Sequence, residues 1–188
     1  EHRMEKERRE ADTNAAGGSY VRRELFSWVR LILISLVLAF LISNFVVVNA
    51  VVPTGSMEDT IQVEDRIMAL RLTYLFEDPA RGDVIIFDPP DGGEDWYVKR
   101  IIGLPGDTVE IHDGGVYING KRLEEDYVKE ATEGVFGPYQ VPEGCYFMMG
   151  DNRNDSLDSR FWRNPYVRRD QIKGKVLFEY YPRLRWVE

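Results

Sequence analysis

The sequence predicts a mainly β chain, in which one N-terminal transmembrane helix precedes a compact antiparallel β domain with a small cap. Three observations predict this fold class. Residues 31–50 carry no charged side chain, and a membrane-spanning helix needs about 20 mostly apolar residues. After them, short β-branched and aromatic runs alternate with turns rich in Gly, Pro, Asp and Asn. The full length of 188 residues leaves room for one modest domain beside the helix.

The N-terminal part divides into a charged segment and an apolar one. Residues 1–27 are polar, and we expect a disordered tail there. Residues 28–48 are the predicted transmembrane anchor, helical from about Trp28 to about Ser43. The β-branched run that follows the helix predicts a strand leading into Pro53. A cleaved signal peptide would need a shorter apolar core, and a buried helix of a soluble protein seldom runs this far without a charge.

Charges on either side of the anchor predict its orientation. Arg22, Arg23 and Arg30 lie at the N-terminal side, whereas the first charges after the apolar segment are Glu58 and Asp59. The positive-inside rule therefore predicts a single-pass protein of the cell membrane, with a cytoplasmic N terminus and an extracytoplasmic body.

Residues 49–188 form the predicted β domain. Strand-like runs cover 66–70, 83–87, 96–102, 108–112, 116–118, 145–149 and 175–181. The Asp-Gly-Gly sequence after His112 predicts a tight hairpin, on which His112 faces solvent.

Composition excludes several kinds of site. The net charge of −8 disfavours binding to nucleic acid, because phosphates repel an acidic chain. The single cysteine, Cys145, excludes an internal disulfide, and two histidines add too few ligands for a Cys/His zinc site. We therefore expect no metal and no cofactor. Unless His112 serves a Ser-His-Asp triad, a hydrolase built on this chain needs a base other than histidine.

Three segments carry residues that suit catalysis. Ser56 lies in Pro-Thr-Gly-Ser-Met directly after the apolar segment, Lys99 lies between apolar neighbours in a predicted strand, and residues 150–160 are dense in Asp and Arg. Each has an ordinary interpretation as well: a turn serine, a surface lysine and a salt-bridged loop. A lysine on an apolar face has a lowered pKa, which would let its neutral amine act as a base.

Taken in order, these motifs closely resemble those of the type I signal peptidases, the membrane-bound serine proteases that remove signal peptides from exported proteins. The resemblance runs from the anchor to residue 181. It rests on Pro-Thr-Gly-Ser-Met at 53–57, Asp-Arg at 65–66, Arg-Gly-Asp-Val-Ile at 81–85, Lys-Arg-Ile-Ile-Gly-Leu-Pro-Gly-Asp at 99–107 and Gly-Asp-Asn-Arg with Ser-x-Asp-Ser-Arg at 150–160. It implies the β fold shared by signal peptidases and LexA-like repressors.

The resemblance also implies a role for each matching residue. Ser56 is the nucleophile, Lys99 is the general base, and Thr54 with the Ser56 N–H forms the oxyanion hole. Ser156 orients the lysine amine. The remaining matches are structural: an ion pair of Asp158 with Arg160, and the architectural residues Gly150, Asp151 and Arg100.

Two departures from the family pattern concern loop shape. Asp59 stands where many members have proline, and Glu64 stands where glycine usually precedes Asp65. The short stretch between Lys99 and Gly150 leaves room for a small cap but not for the large inserted β domain of some members.

The expected substrate is the signal peptide of a preprotein, lying as an added strand against a sheet edge. Shallow pockets would admit only small residues and so favour Ala-x-Ala sites. We expect these pockets to be lined by Val52, Pro53, Met57, Ile61, Tyr97 and Val98. The lipid bilayer and a nearby secretion translocon are the other expected partners.

Two alternatives stay open. A self-cleaving Ser-Lys protease would share the broad fold, but the apolar segment and the lack of a DNA-binding segment argue against it. A non-catalytic, membrane-tethered β receptor is the other, and the intact Ser56, Lys99, Thr54 and Ser156 argue against that.

Overall fold

The structure is a computed structural model that describes residues 2–187, with side chains described from Arg22 onward. The chain forms two compact units, residues 1–44 and residues 45–188. The first unit is helical and the second is built of β strands.

Helix α1 runs from His2 to Leu41 and is followed by a π-helical turn, Ile42–Val46. The segment Arg22–Val46 is long and apolar enough to cross a membrane, and its side chains are not buried within the protein. The turn begins where Ser43 and Asn44 interrupt the apolar run, and Asn44 Nδ2 donates a hydrogen bond of 2.8 Å to the Phe40 carbonyl.

The two ends of this segment differ from the sequence prediction. The helix begins at His2, in the region where we predicted disorder, because residues 3–11 are mostly Glu, Lys, Arg and Ala, which favour helix. At the other end, the strand predicted before Pro53 is present and begins at Val47. Val47 and Val48, which the anchor bounds included, belong to that strand because β-branched residues favour an extended backbone. The boundary between the two units lies after residue 44.

The second unit confirms the predicted mainly β class. Its strands, in chain order, are β1 (Val47–Val51), β2 (Arg66–Leu70), β3 (Val84–Phe87), β4 (Tyr97–Gly103), β5 (Thr108–His112), β6 (Gly115–Ile118), β7 (Lys121–Arg122), β8 (Phe136–Gln140), β9 (Cys145–Met149), β10 (Tyr166–Arg168), β11 (Ile172–Tyr181) and β12 (Arg185–Trp186). Short helical turns lie at Gly55–Met57, Thr73–Phe76 (α2), Arg153–Asp155 and Arg169–Gln171.

Two antiparallel sheets result. The larger has the order β1-β2-β11-β3-β4-β9-β10, with β12 also paired to β11. The smaller, β7-β6-β5-β8, lies between β4 and β9 in the sequence and is the predicted cap. His112 lies on its β5–β6 hairpin, stacked on Tyr117 with ring centroids 4.0 Å apart.

Burial explains which strands lie in the centre. All four residues of β3 are buried, as are the last five of β4, so these strands are covered on both faces. In β2 only the alternate residues Ile67 and Ala69 are fully buried, which is the pattern of a strand with one solvated face. Lys99 and Arg100 thus sit on a central strand, within the most buried part of the domain.

Candidate active site

The nucleophile candidate Ser56 lies in the short turn Gly55–Met57 that follows β1. Strand-like pairing continues to Val52, whose N–H donates to the Asp65 carbonyl at 3.0 Å and whose carbonyl accepts from Glu64 at 2.8 Å. Pro53 then ends the pairing, because proline has no N–H to donate. Met57 is fully buried and packs the turn against the core, while Ser56 is 7% exposed.

A second segment, residues 150–152, packs against the turn Gly55–Met57 and is hydrogen-bonded to it. The Asn152 N–H donates to the Ser56 carbonyl at 3.2 Å, and the Asn152 side-chain amide donates to the Gly55 carbonyl at 3.0 Å. A Cβ atom on Gly150 would lie 2.3 Å from both the Ser56 carbonyl oxygen and Ser156 Oγ. Only glycine permits this approach, which explains the glycine that begins the Gly-Asp-Asn-Arg motif.

Lys99 reaches the nucleophile from strand β4. It is paired with Ile85 of β3, is 5% exposed, and its Nζ is hydrogen-bonded to Ser56 Oγ. Burial lowers the pKa of the Lys99 amine from 10.5 to about 8. The nearby carboxylates of Asp158 and Asp151 act in the opposite direction, and the Arg160 guanidinium adds to the lowering.

The charge of Asp158 is compensated by Arg160. Arg160 Nε and Nη2 donate to the two oxygens of Asp158 at 2.8 Å each, and the carboxylate is fully buried. Gly150 N–H also donates to it, at 3.1 Å. This bidentate pair agrees with the predicted ion pair and limits how far Asp158 can favour the charged form of Lys99.

The Ser156 hydroxyl points to this ion pair. Its Oγ donates to Asp158 Oδ2 at 2.8 Å. In the part of the chain whose side chains are described, from Arg22 to Val187, the Lys99 amine is hydrogen-bonded to Ser56 and not to Ser156. The role of Ser156 in orienting the amine therefore stays a prediction.

Arg100 and Asp151 form a second buried pair beside the site. Arg100 Nε and Nη2 donate to the two carboxylate oxygens at 2.9 and 2.7 Å, and Nη1 donates to the Gly82 carbonyl at 2.7 Å. The guanidinium lies 3.9 Å from the ring centroid of Tyr127. Thr60 Oγ1 donates to Asp151 Oδ2 at 2.5 Å. Tyr127 and Thr60 were not among the predicted site residues, and no motif in the sequence singles them out.

Thr54 stands beside the nucleophile on the solvent side. It is exposed, and its Oγ1 lies 3.3 Å from Ser56 Oγ. This places its hydroxyl close to the atom that would attack a substrate carbonyl, as an oxyanion donor requires.

A groove of about 670 Å³ opens onto Ser56 and Lys99. One wall is the edge strand β1 and the residues that follow it, and the other is the start of β4. Strand β9 pairs with β4 only from Arg100 onward, which leaves the edge of residues 97–99 free on that side. Among residues 2–187, the outer edge of β1 and the edge of residues 97–99 toward β9 have no strand partner, and both line one groove.

Of the six residues predicted to contact substrate, four line this groove: Val52, Pro53, Tyr97 and Val98. Met57 and Ile61 do not, since both are fully buried in the core cluster with Val48 and Ile67. The turn after Ser56 directs both side chains inward. The lining residues that the sequence analysis missed are Asn49, Ala50, Val51, Gly55, Ile86, Asp95, Trp96, Asp155 and Leu157.

The arrangement provides the groups that acyl transfer requires. A buried amine contacts a serine hydroxyl, a second hydroxyl lies beside it, and an open groove leads to both. Among the described residues, no group of three or more His, Cys, Asp or Glu side chains is placed to hold a metal ion.

Comparison with known proteins gives consistent matches. Residues 25–181 match the family model described as signal peptidase, peptidase S26. A probable signal peptidase I-2 from Synechocystis is 39% identical over 153 residues, which is 79% of this chain and 69% of that protein. A signal peptidase I from Bacillus licheniformis is 39% identical over 171 residues, 86% of this chain and 91% of that protein. A crystal structure of a signal peptidase I from Enterococcus faecalis shares 37% identity, covers 53% of this chain and 97% of that chain, and has a TM-score of 0.43.

Proposed function

Because this chain belongs to the signal peptidase family, peptidase S26, and is a serine endopeptidase of the signal peptidase I kind, we propose that Ser56 and Lys99 are its catalytic pair. The observation that carries the proposal is the hydrogen bond between the buried Lys99 amine and Ser56 Oγ at the base of the groove. The same geometry gives no role to His112, which lies on the hairpin of the cap.

The lowered pKa of Lys99 makes the amine effective as a base. With a pKa of about 8, roughly one tenth of the amines are neutral at pH 7. An amine with the ordinary pKa would be neutral in only about 0.03% of molecules at that pH. Burial therefore increases the reactive population by a factor of about 300.

In the proposed reaction, neutral Lys99 takes the proton from Ser56 Oγ as that oxygen attacks the scissile carbonyl. The Ser56 N–H and the Thr54 hydroxyl stabilise the resulting oxyanion. The protonated amine then gives its proton to the leaving amino group, and the peptide bond breaks to leave an ester on Ser56. Lys99 next activates a water molecule, which attacks the ester and releases the acid product with a free serine.

We propose that the substrate lies in the groove as an added strand between β1 and residues 97–99. Both edges have backbone groups free for pairing. Alternate side chains of such a strand point into the groove wall formed by Val52, Ile86 and Val98. Small residues at the first and third positions before the cut fit this wall, and this supports a preference for Ala-x-Ala sites.

We also propose that the apolar part of the segment 22–46 crosses the bilayer, with the tail in the cytoplasm and the β domain outside, near the translocon that delivers preproteins. The basic residues Arg22, Arg23 and Arg30 at one end of the apolar segment support this orientation. Protease added to intact cells should degrade the β domain and spare the tail. Digestion of the tail from outside would reverse the assignment.

Cleavage of a model preprotein by the purified chain in detergent tests the catalytic pair. Ser56→Ala, Lys99→Ala, Lys99→Arg and Lys99→His should be inactive, because arginine cannot give up its proton and histidine is too short to reach Ser56. Ser35→Ala, at an exposed serine of helix α1, is the matched control and should cleave normally. Substantial turnover by Ser56→Ala, or labelling of another residue by an acylating β-lactone, would refute the assignment.

The same assay separates the alternatives. A self-cleaving protease would process its own chain and leave the added preprotein intact, whereas a receptor would bind the preprotein without cutting it. Cleavage of added preprotein that depends on Ser56 excludes both.

A further inference from the structure

The C-terminal hairpin contacts the loop that follows the nucleophile. Strand β12 folds back on β11, pairing Arg185 with Glu179 and Trp186 with Phe178, and Val187 N–H donates to the Leu177 carbonyl at 2.9 Å. The Trp186 ring packs edge-on against Phe178 with centroids 5.5 Å apart. The family match ends at residue 181, so the contacts of Arg185 lie beyond the part of the chain that the family model covers.

Arg185 joins a buried carboxylate to the nucleophile loop. Its Nε donates to Glu179 Oε2 at 2.5 Å, and Glu179 is fully buried. Its Nη2 donates to the carbonyl oxygen of Thr60. Because the guanidinium is planar and its donors are fixed in one fork, holding the carboxylate also fixes where the other donor points.

Thr60 is bound on its other side to the base of the active site. Its N–H donates to the carbonyl of Met57, the residue after the nucleophile, at 3.0 Å. Its hydroxyl donates to Asp151, which is in turn held by Arg100, the neighbour of Lys99. The turn 57–61 is therefore held between the C-terminal hairpin and the Arg100–Asp151 pair.

We propose that Arg185 is a positioning residue for the proposed nucleophile: clamped by Glu179, it fixes the turn 57–61 through the Thr60 carbonyl and so places Ser56 against Lys99. This inference rests on the proposed function for its effect on catalysis, but not for its effect on the turn. Arg185 touches neither the groove nor the reacting atoms, and it acts only through the backbone of Thr60.

The neighbouring arginine offers a matched control. Arg183 lies on the same hairpin, and its Nε is 3.8 Å from Glu179 Oε1 with the side chain 61% exposed. It has no hydrogen bond to the turn within residues 22–187. Arg183→Ala removes a positive charge near the same carboxylate and leaves the link to Thr60 in place.

Arg185→Ala should lower kcat by roughly 10- to 100-fold with little change in KM, since a displacement of about 1 Å at a reacting group costs up to 10²-fold. The pH at half-maximal rate should move little, because the burial of Lys99 on strand β4, the main cause of its lowered pKa, does not depend on Arg185. Arg185→Lys should fall between wild type and Arg185→Ala, as one ammonium cannot hold both partners in the same geometry. Arg183→Ala should stay within about two-fold of wild type.

Loss of Arg185 also removes the hydrogen-bonded partner of a buried carboxylate and, within the described part of the chain, leaves it only the more distant Arg183, so the domain could unfold rather than the turn loosen. The double variant Glu179→Leu/Arg185→Leu removes both charges and restores an apolar contact. It should unfold at close to the wild-type temperature and still cleave slowly. Recovery of full kcat in this variant would show that the hairpin has only a structural role and would overturn the proposal.

The rate of amide hydrogen exchange in residues 57–61 reports on how firmly the turn is held, independently of catalysis. Exchange of the Thr60 and Ile61 amides should be faster in Arg185→Ala and in the double variant, and unchanged in Arg183→Ala. Unchanged exchange in both Arg185 variants would refute the clamp even if cleavage were affected. If wild type failed to cleave any preprotein while the exchange pattern was as expected, the proposed function would fail and the clamp would stand.

Discussion

Gly150→Ala gives a quantitative test of how closely the active-site segments approach one another. The added Cβ would lie 2.3 Å from the Ser56 carbonyl oxygen, 2.3 Å from Ser156 Oγ and 2.7 Å from Ser156 Cβ. Ordinary contacts between such atoms need about 3.5 Å, so the Ser56 backbone or residue 150 must move by about 1 Å. Neither can move freely, because Gly150 N–H is bonded to Asp158 and the Ser56 carbonyl to Asn152.

A shift of this size at the nucleophile should reduce kcat/KM by about 10²-fold, which corresponds to roughly 2.7 kcal/mol in the activation barrier. The free energy of unfolding should fall by about 1–3 kcal/mol, the usual effect of overpacking a filled interior. Both quantities are measurable on purified protein in detergent, the first by preprotein cleavage and the second by thermal unfolding followed by circular dichroism.

Gly115→Ala is the matched control. This glycine lies in β6 of the cap, and the three atoms nearest to an added Cβ all belong to the guanidinium of Arg122, with Nε at 2.9 Å. Arg122 is exposed and can swing aside, so kcat/KM should stay within about two-fold of wild type. A Gly150→Ala protein that folds and cleaves at the wild-type rate would show that the segments do not meet as described.

Three further predictions concern the base, the oxyanion donor and the backbone. The kcat/KM of wild type should rise with pH and reach half its plateau near pH 8, because only the neutral Lys99 amine accepts the serine proton; a rate still climbing at pH 10 would exclude Lys99 as the base. Thr54→Ser should keep most activity and Thr54→Val should lose about 10²–10³-fold, and wild-type cleavage by Thr54→Val would mean that other donors form the hole. Glu64→Gly should raise the free energy of unfolding by about 1 kcal/mol, because Glu64 has a φ of 68°, a left-handed conformation that favours glycine. Denaturant titration measures this change. The control is Glu58→Gly, which should lose stability because Glu58 has an ordinary φ of −52°.

The strands were predictable wherever a run of apolar residues was bounded by turn residues. Residues 66–70, 108–112 and 145–149 were predicted as strands with the bounds that the structure gives to β2, β5 and β9. Strands β7, β8, β10 and β12 were missed, because they are short or contain Gly, Pro and charged residues. Their extended shape comes from pairing with a neighbouring strand rather than from local preference.

The residues of the candidate site that lie in the sequence motifs were predictable, and those outside the motifs were not. Ser56, Lys99 and the Asp158–Arg160 pair were named from motif order, and the departure at Glu64 now has a physical reason, since the backbone there is left-handed, where glycine is most favourable. The sequence placed Lys99 between apolar neighbours in a strand, but it did not predict that the strand would be central and that Lys99 would be only 5% exposed. Burial, the contact of Tyr127 with Arg100 and the inward turn of Met57 all depend on segments distant in sequence.

Only a short length of chain, which includes strand β1, connects the apolar segment to the nucleophile. The segment suited to crossing a membrane ends at Val46, and Ser56 follows ten residues later, a length that covers at most about 35 Å when fully extended. If this segment crosses the bilayer as proposed, the connecting chain keeps Ser56 within about 35 Å of the point where the segment leaves the membrane. Under that proposal, a scissile bond held farther than this from the membrane would not reach Ser56, so the distance of the bond from the lipid would select substrates in addition to the side chains around it.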